Sequence, residues 1–233
     1  SDPYALRRNL NGIIQIIWHY DFNLKLDHLI LKILNYWKLE NNELNINYEN
    51  VYIDLVEFAK QRVISHLEDL SFGKQLIRAI CESESLKDLN TLDIEDIKKR
   101  INTIQKVLRS KNSKALINII SRYSKLAQKG NLKTNIRTCE KNINSQLFEK
   151  KSEMDVYCFI KGLQELIESK AWKYSELISL YEENLQYLVE LFDNQNGVMI
   201  MSDDLAVREN RLNLLCLVRN FSLLIADFTL LSS

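Results

Sequence analysis

The chain has 233 residues, of which 46% are hydrophobic and 27% are charged, so it is long enough for a packed core and too apolar to be disordered. Its 31 basic and 31 acidic residues cancel, which excludes a uniformly basic protein but allows one basic surface. One proline and five glycines are too few for a sandwich, a barrel or a turn-rich α/β fold, so we expect an all-α helical bundle with essentially no β-sheet.

Apolar residues recur at helical spacing along the first part of the chain, with polar breaks between the helices. Asp2 and Pro3 predict the cap and first turn of the first helix. Further helices are predicted over about residues 26–37, 48–67 and 76–80. The polar and acidic stretch 81–91 is predicted to be a linker. We therefore expect two helical domains, over residues 1–92 and 93–233.

The second domain is also predicted to be helical. Asp93 and Asp96 indicate an approximate capping box for a helix that ends near Leu108. The next helix is predicted to end near Gly130, because glycine favours the conformation that closes many helices. Three more helices are predicted over about residues 155–169, 173–193 and 204–231. Long helices joined by polar connections therefore account for the whole domain.

The sequence carries no pattern typical of a catalytic, metal or cofactor site. The three histidines, His19, His28 and His66, are not spaced for metal binding, and no glycine-rich phosphate loop or nucleophile elbow occurs. The four scattered cysteines indicate reduced thiols packed as small apolar groups. No apolar run approaches the ~18 residues of a membrane span. We expect a cytoplasmic chain without a catalytic residue, a metal, a cofactor or a membrane contact.

Basic residues concentrate between Lys98 and Lys141, where thirteen lysines and arginines accompany one acidic residue, Glu140. Lysine or arginine recurs every fourth residue from 125 to 141, so a continuous helix would align these charges, although Gly130 is expected to interrupt it. Like charges at that spacing destabilise a helix by roughly 0.2–0.5 kcal/mol per pair, and a bound polyanion offsets this by counterion release. The basic interval therefore indicates nucleic-acid binding, with a solvated helix face as the alternative.

Four residues of this basic interval are the strongest candidates for contact with an RNA backbone. They are Arg122, Lys125, Lys129 and Lys133, and they are chosen for their charge. Tyr123 lies among them and is expected to be available for stacking on a base. These residues together predict an RNA-binding surface within the second domain.

Three stretches carry a more specific signal than composition. They are D-P-Y-A-L-R-R at residues 2–8, V-M-I-M-S-D-D-L-A-V-R-E-N-R-L-N-L-L at 198–215 and I-A-D-F-T-L-L at 225–231. In this order and spacing they resemble the C-terminal third of the β subunit of bacterial-type glycyl-tRNA synthetase, which ends in a DALR-like anticodon-binding domain. Residues 116–129 resemble a helix of that family with a K-R-V-x-N-I segment, in which Arg122 matches the family's arginine and Lys125 replaces its asparagine.

The resemblance implies an α2β2 ligase that joins glycine to its tRNA, with the catalytic site, ATP and Mg²⁺ in the α subunit. It implies that residues 1–92 follow an HD-like domain outside this chain, and that residues 93–233 read the anticodon. The expected partners are glycine tRNA and the α subunit, and no DNA partner is expected. Arg208, Asn210 and Arg211 match the family's L-R-x-N-R-L segment, which implies a place in the tRNA-binding surface.

Alternatives remain open for these motif residues and for the chain. Arg208, Asn210 and Arg211 either contact tRNA or hold neighbouring helices together by hydrogen bonds. The favoured hypothesis is a chain that binds glycine tRNA and recognises its anticodon. The first alternative is a structural helical module for subunit assembly without direct RNA contact. The second alternative is an unrelated helical adaptor that binds protein partners.

Overall fold

The computed structural model describes residues 4–41, 46–82 and 92–232 of the chain. These residues form ten α-helices and no β-strand, and the structure is 69% helical. An isolated β-bridge joins Lys25 and Asp93. The predicted all-α fold with essentially no β-sheet is therefore confirmed.

The described residues group into two compact units by their contacts. The first contains the described residues of 4–82 and 92–101, and the second contains residues 102–232. The boundary between the units lies within one helix, α5 (Ile94–Arg109). The predicted domain boundary between residues 92 and 93 stays a prediction, because compactness alone does not define a domain that folds independently.

The first unit is built on its longest helix, α3. Its helices before α5 are α1 (Leu6–Tyr20), α2 (Leu26–Glu40), α3 (Tyr48–Asp69) and α4 (Lys74–Ile77), which continues as the π-helical turn Arg78–Glu82. Both α1 and α2 pack against α3, and the buried apolar side chains of these three helices include Ile14, Leu26 and Val63. Burial of each such side chain stabilises the unit by roughly 1.5–3 kcal/mol.

Two predicted features of the first half lie largely outside the described residues. These are the helix cap at Asp2 and Pro3, and the linker over residues 81–91, of which the first two residues close the π-helical turn. The predicted cap of α5 is confirmed, because Asp93 Oδ1 accepts a 3.0 Å hydrogen bond from the backbone N–H of Asp96. A backbone amide at the helix start is thus satisfied by a side chain.

The second unit is built around its last long helix, α10. Its helices after α5 are α6 (Ser113–Ala127), α7 (Lys151–Glu168), α8 (Tyr174–Glu183), α9 (Leu185–Glu190) and α10 (Leu205–Ser222), with 3-10 turns at Ser145–Leu147 and Phe228–Leu230. Twelve of the 18 residues of α10 are buried, which is typical of a core helix rather than a surface helix. It packs against α6 and α7, and the last 3-10 turn also packs against α6.

The predicted helix over residues 204–231 is wrong at its C-terminal end. The helix ends at Ser222, and Asp227 then caps a 3-10 turn by accepting a 2.9 Å hydrogen bond from the backbone N–H of Thr229. This change of direction brings Phe228 into the core, where only 1% of the residue is exposed. Burial of a large aromatic side chain is favourable enough to compensate for the helical hydrogen bonds that are not formed.

Two further helices differ from the prediction for local reasons. The helix predicted over residues 173–193 is divided into α8 and α9 at Asn184, whose side-chain N–H donates a 2.8 Å hydrogen bond to the Leu180 carbonyl. Such side-chain bonds compete with the helical backbone pattern. α7 begins earlier than predicted, because Glu153 accepts hydrogen bonds of 2.8 and 3.0 Å from two backbone N–H groups ahead of the helix.

The role predicted for Gly130 as a helix cap is wrong. α6 ends at Ala127, and no described glycine has the positive φ of a left-handed cap. A Cβ atom at position 130 would lie 2.8 Å from the Sγ atom of Cys216. The absence of a side chain is therefore needed for a close approach to α10.

The cysteines are free thiols, and three of the four are buried. Burial raises the pKa of the Cys81 and Cys139 thiols to about 11, and it also raises the pKa of Cys216. Cys158 is exposed on α7. The expected packing of the thiols is confirmed for three cysteines and wrong for Cys158.

We expect Cys158 alone to react quickly with iodoacetamide in the native chain at pH 8. A thiol with a pKa of about 11 is roughly 0.1% ionised at that pH, and the thiolate is the form that reacts. Mass spectrometry after brief labelling should show one adduct for the native chain and four adducts in denaturant. Equally rapid labelling of Cys139 in the native chain would contradict its burial in the core.

Candidate nucleic-acid interface

The first three cations of the basic interval are paired with acids inside the first unit. The pairs are Lys98 with Asp21, Lys99 with Glu95 (2.6 Å from Nζ to Oε1) and Arg100 with Asp96 (2.8 Å from Nε to Oδ2). Lys98 also donates a 2.8 Å hydrogen bond to the Trp18 carbonyl, and the Arg100 side chain is only 1% exposed. Lys98, Lys99 and Arg100 are therefore engaged within the protein.

The other ten cations of the interval are not paired with acids among the described residues. They are Lys106, Arg109, Lys111, Lys114, Arg122, Lys125, Lys129, Lys133, Arg137 and Lys141. None of them forms an ion pair with a described residue. With Glu140 as the only acid of this stretch, residues 106–141 carry a formal charge of +9. All of these cations except the half-buried Arg137 are exposed, and we call these nine residues the basic surface.

The solvent-facing side of α6 carries a regular part of the basic surface. Lys114, Asn118, Arg122 and Lys125 are exposed and follow one another at intervals of four, four and three residues, so they lie on one side of the helix. Neighbouring positions such as Ile120 are buried. From residue 114 to residue 125 the helix rises about 16 Å. A stripe of this length can meet successive phosphates of a nucleic-acid backbone.

A groove of about 550 Å³ lies beside this stripe. It is lined by Asn118, Ser121, Arg122, Lys125, Leu126 and Ser232. Ser121 Oγ donates a 3.0 Å hydrogen bond to Ser232 Oγ, and the Nζ atom of Lys125 is 3.5 Å from the same oxygen. The groove therefore presents two cations beside neutral hydroxyl and amide groups.

Lys129 and Lys133 lie beyond the end of α6, on an irregular segment, and both are exposed. The expected interruption of the helix is therefore confirmed, and it occurs after Ala127. Because the segment is not helical, the four-residue spacing of its cations does not align them on one helix face. The backbone of the segment must be held in another way.

Two polar residues of α10 hold this segment. Arg219 Nη2 donates a 2.8 Å hydrogen bond to the Leu132 carbonyl, and Asn220 Nδ2 donates 2.7 Å bonds to the carbonyls of Lys133 and Ile136. Asn220 is fully buried. Neither residue was singled out from the sequence, although both interrupt an apolar run, which indicates a polar group with a specific partner. They fix the backbone between Lys129 and Ile136.

Arg211, from the matched motif, lies at the centre of a buried ion cluster. Its Nε is 2.8 Å from Glu153 Oε1 and its Nη2 is 2.5 Å from Glu149 Oε2, while Nη1 donates a 3.0 Å bond to the Met199 carbonyl. Burial lowers the pKa of Arg211, but the two carboxylates more than offset this, so the pKa is raised overall. Arg211 therefore joins α10 to the start of α7.

The other two motif residues differ in their surroundings. Asn210 is 5% exposed, and it accepts a 2.8 Å hydrogen bond from the Asn144 amide and donates a 3.0 Å bond to the Asn144 carbonyl. Arg208 is half-buried near the start of α10, and its side chain forms no hydrogen bond or ion pair with a described residue. The structure thus places Asn210 and Arg211 in internal contacts and leaves the Arg208 guanidinium open.

The prediction that Tyr123 is available to stack on a base is wrong. Tyr123 is fully buried, and its hydroxyl donates a 3.1 Å hydrogen bond to the Leu188 carbonyl. Burial also raises the pKa of this hydroxyl well above its usual value. The aromatic ring that reaches the basic surface is that of Phe192, which is half-buried and lies beneath the Arg122 guanidinium.

A second groove, of about 530 Å³, lies between residues 140–147 and α10. Its amide side chains are Asn142, Asn144, Gln146, Asn210 and Asn213. Asn213 is held by a 3.0 Å hydrogen bond from its Nδ2 to the Asn142 carbonyl. The lining also contains the charged residues Glu140, Lys141 and Glu209. Amide groups both donate and accept hydrogen bonds, so the amide side chains of this groove can distinguish the edges of different bases.

Side chains that could suggest other chemistry are scattered or buried. Within the described ranges, no group of three or more histidine, cysteine or acidic side chains could hold a metal ion. His66 is buried with its ring centroid 5.5 Å from that of Trp18, and burial lowers its pKa. None of the described helices is long and apolar enough to cross a membrane.

Comparison with known proteins identifies the relatives of the chain. Residues 1–82 match the family model described as glycyl-tRNA synthetase beta subunit. Over 98% of its length the chain is 31% identical to the glycine–tRNA ligase beta subunit of Gloeothece citriformis and 30% identical to that of a Picosynechococcus species. The corresponding protein of Vibrio vulnificus is 27% identical over 99% of the chain. The chain spans 32% of the length of each of these relatives. The resemblance found in the sequence is thereby confirmed, since along nearly its whole length the chain is similar to about one third of the glycyl-tRNA synthetase beta subunit.

Proposed function

We propose that the chain is a tRNA-binding part of a glycine–tRNA ligase and that its second domain recognises the anticodon of glycine tRNA. The observation that carries the proposal is the formal charge of +9 over residues 106–141, whose cations form no ion pair with a described residue. A polyanion that meets such a surface releases counterions, and this release supplies much of the affinity in nucleic-acid complexes. The relatives are named as ligases that act on tRNA, which supports tRNA as the polyanion.

Direct contacts with the phosphate backbone of the tRNA are assigned to Arg122, Lys125, Lys129, Lys133 and Arg208. The first four are exposed, and Arg208 is half-buried without a described partner. Arginine and lysine donate charge-assisted hydrogen bonds to phosphate oxygens, which orient an RNA without reading its sequence. These contacts would therefore hold the tRNA in place while other groups read it.

Indirect roles are assigned to Asn210 and Arg211. Asn210 is hydrogen-bonded to Asn144, which lines the groove between residues 140–147 and α10, and Arg211 is paired with Glu153 at the start of α7. Their hydrogen-bonding groups are engaged within the protein, so they support tRNA binding by positioning the backbone around the groove. Anticodon recognition also requires contacts to unpaired bases, and the neutral amides of this groove are suited to them.

The proposal places the aminoacylation step on a partner α subunit of an α2β2 assembly in the cytoplasm, which would hold the ATP and Mg²⁺. The free thiols of the chain support a reducing compartment. The partner would supply the reacting groups, and this chain would supply affinity and selection of the tRNA.

Binding of the 233-residue chain to a glycine tRNA transcript tests the proposal. We expect tighter binding to this transcript than to one with a changed anticodon, by about tenfold per altered base, and a steep loss of affinity between about 50 and 200 mM salt. Equal and salt-sensitive binding to both transcripts would contradict anticodon recognition while retaining tRNA binding. Absence of binding at 50 mM salt would contradict the tRNA-binding role of this chain.

A second candidate function is a structural module for subunit assembly. It is favoured by the exposed apolar side chains of α2, which are Leu31, Ile33, Tyr36, Trp37 and Leu39, each between 45% and 73% exposed. Exposed aromatic and aliphatic groups of this kind are typical of protein–protein contact surfaces. If assembly were the sole function, charge reversal on the basic surface would leave tRNA affinity unchanged.

A further inference from the structure

The Arg122 side chain is held over an aromatic ring. Its guanidinium carbon lies 4.2 Å from the centroid of the Phe192 ring. Phe192 also contacts Tyr123, in a T-shaped arrangement with a centroid distance of 4.9 Å and an interplanar angle of 73°. Because Tyr123 is fully buried and hydrogen-bonded to the Leu188 carbonyl, this stack rests on the fixed core of the second unit. Arg122 is therefore positioned by packing rather than by an acid.

The orientation of Arg122 by an aromatic ring has a chemical consequence. A guanidinium paired with a carboxylate is neutralised and committed to that partner, whereas one held by a ring keeps its full charge. Arg122 is exposed and has no acidic partner among the described residues. A planar cation in this state can accept the face of an unpaired base, as arginine planes do in RNA complexes.

The surroundings of Arg122 suit the rest of a nucleotide. Lys125 lies three residues further along the same exposed side of α6, where its ammonium can meet a phosphate. The exposed amide of Asn118 lies along the adjoining groove of about 550 Å³, whereas the hydroxyls of Ser121 and Ser232 donate hydrogen bonds within the protein. An amide can hydrogen-bond the 2′-hydroxyl of a ribose, which distinguishes RNA from DNA.

We infer that the Arg122–Phe192 pair is a stacking platform for one unpaired base of the bound RNA, with Lys125 on the adjoining phosphate. This inference rests on the proposed tRNA-binding function and adds a nucleotide-binding site to it. It also assigns to Arg122, with Phe192 beneath it, the base-stacking role that the sequence had suggested for Tyr123. Arg122 thus contributes through its planar shape as well as through its charge.

The variant Arg122→Lys tests the platform, because it keeps the charge and removes the plane. We expect it to bind glycine tRNA at least about fivefold more weakly than the unaltered chain, which is the lower end for loss of one stacked base. The slope of log affinity against log salt should stay unchanged, since the number of cations is the same. A matched control is Arg78→Lys, an exposed arginine outside the basic surface, for which we expect unchanged affinity.

The stacked base can be located with tRNAs that carry an abasic nucleotide at each unpaired position in turn. At one position, the abasic tRNA should bind the unaltered chain and Arg122→Lys equally well, because the stacking partner is already missing. Phe192→Leu, checked for folding by circular dichroism, should lose the same affinity for intact tRNA as Arg122→Lys. The tRNA with the same abasic position should bind this variant and the unaltered chain equally well. Arg122→Lys removes the guanidinium plane, and Phe192→Leu removes the ring that supports it.

Two outcomes separate failure of the platform from failure of the proposed function. In the first outcome, the unaltered chain binds tRNA in a salt-dependent way, and Arg122→Lys has the same affinity as the unaltered chain for every tRNA. This result would overturn the platform and leave the proposed function intact. Absence of tRNA binding by the unaltered chain would overturn both. A loss with Arg122→Lys that persists at every abasic position would also overturn the platform, because no base would then depend on it.

Discussion

The double variant Lys125→Glu/Lys129→Glu is expected to bind glycine tRNA at least about 25-fold more weakly than the unaltered chain at 0.1 M salt. Each lost phosphate contact costs roughly fivefold at that salt, and the introduced carboxylates add repulsion. The slope of log affinity against log salt should also become shallower by about 1.4 or more, at roughly 0.7 per contact. Filter binding or fluorescence anisotropy across a salt series measures both quantities.

A matched control makes the same change in net charge at residues that do not belong to the basic surface. Lys32→Glu/Lys74→Glu alters two exposed lysines of the first unit. It should bind tRNA within about twofold of the unaltered chain, because exposed charges that do not contact the RNA are largely screened by salt. Equal affinities for the unaltered chain and Lys125→Glu/Lys129→Glu would contradict the proposed RNA surface and favour the structural module.

Replacement of Glu153 by alanine is expected to lower the free energy of unfolding by about 3–5 kcal/mol. Glu153 is fully buried, and its loss would leave the Arg211 guanidinium without its buried carboxylate partner. The same side chain also accepts hydrogen bonds from the backbone N–H groups of Glu149 and Lys150, so the start of α7 would lose its cap. Urea denaturation followed by circular dichroism measures this change.

Two comparison variants distinguish a buried ion pair from a surface one. Glu149→Ala removes the other carboxylate of the cluster, but that side chain is 62% exposed, so we expect a cost of about 1 kcal/mol or less. The double variant Glu153→Leu/Arg211→Met should recover part of the lost stability, because both buried charges are removed together. A cost below about 1 kcal/mol for Glu153→Ala would contradict the structural role of the ion cluster. Retention of tRNA binding by the double variant would support the indirect role of Arg211.

Local signals in the sequence were sufficient for the fold class and for most of the helices. Apolar residues repeat at helical spacing because one side of each helix is buried, and this repeat does not depend on which helix lies opposite. The cap at Asp93 could also be predicted, because the backbone N–H that it binds belongs to Asp96, only three residues away. The capping role of Gly130 and the helix end near Leu231 were predicted wrongly, because each position depends on a contact with a distant segment.

The sequence also showed that the site is positively charged. It showed only in part which of the cations are paired with acids. The pairs of Lys99 and Arg100 with acids four residues earlier follow from helical spacing. The pairing of Lys98 with Asp21 does not, because 77 residues separate the two. Only the tertiary structure showed that the remaining cations of the interval form no ion pair with a described residue.

The sequence by itself determined that the chain is helical, that a basic interval lies within it and that its ends resemble one synthetase subunit. The tertiary structure decided which side chains face solvent. Tyr123 is buried and Phe192 reaches the surface, while Asn210 and Arg211 are engaged by the distant residues Asn144 and Glu153. The reason is physical: helical spacing is set by neighbours along the chain, whereas exposure and hydrogen-bonding partners are set by segments that meet only in the folded chain.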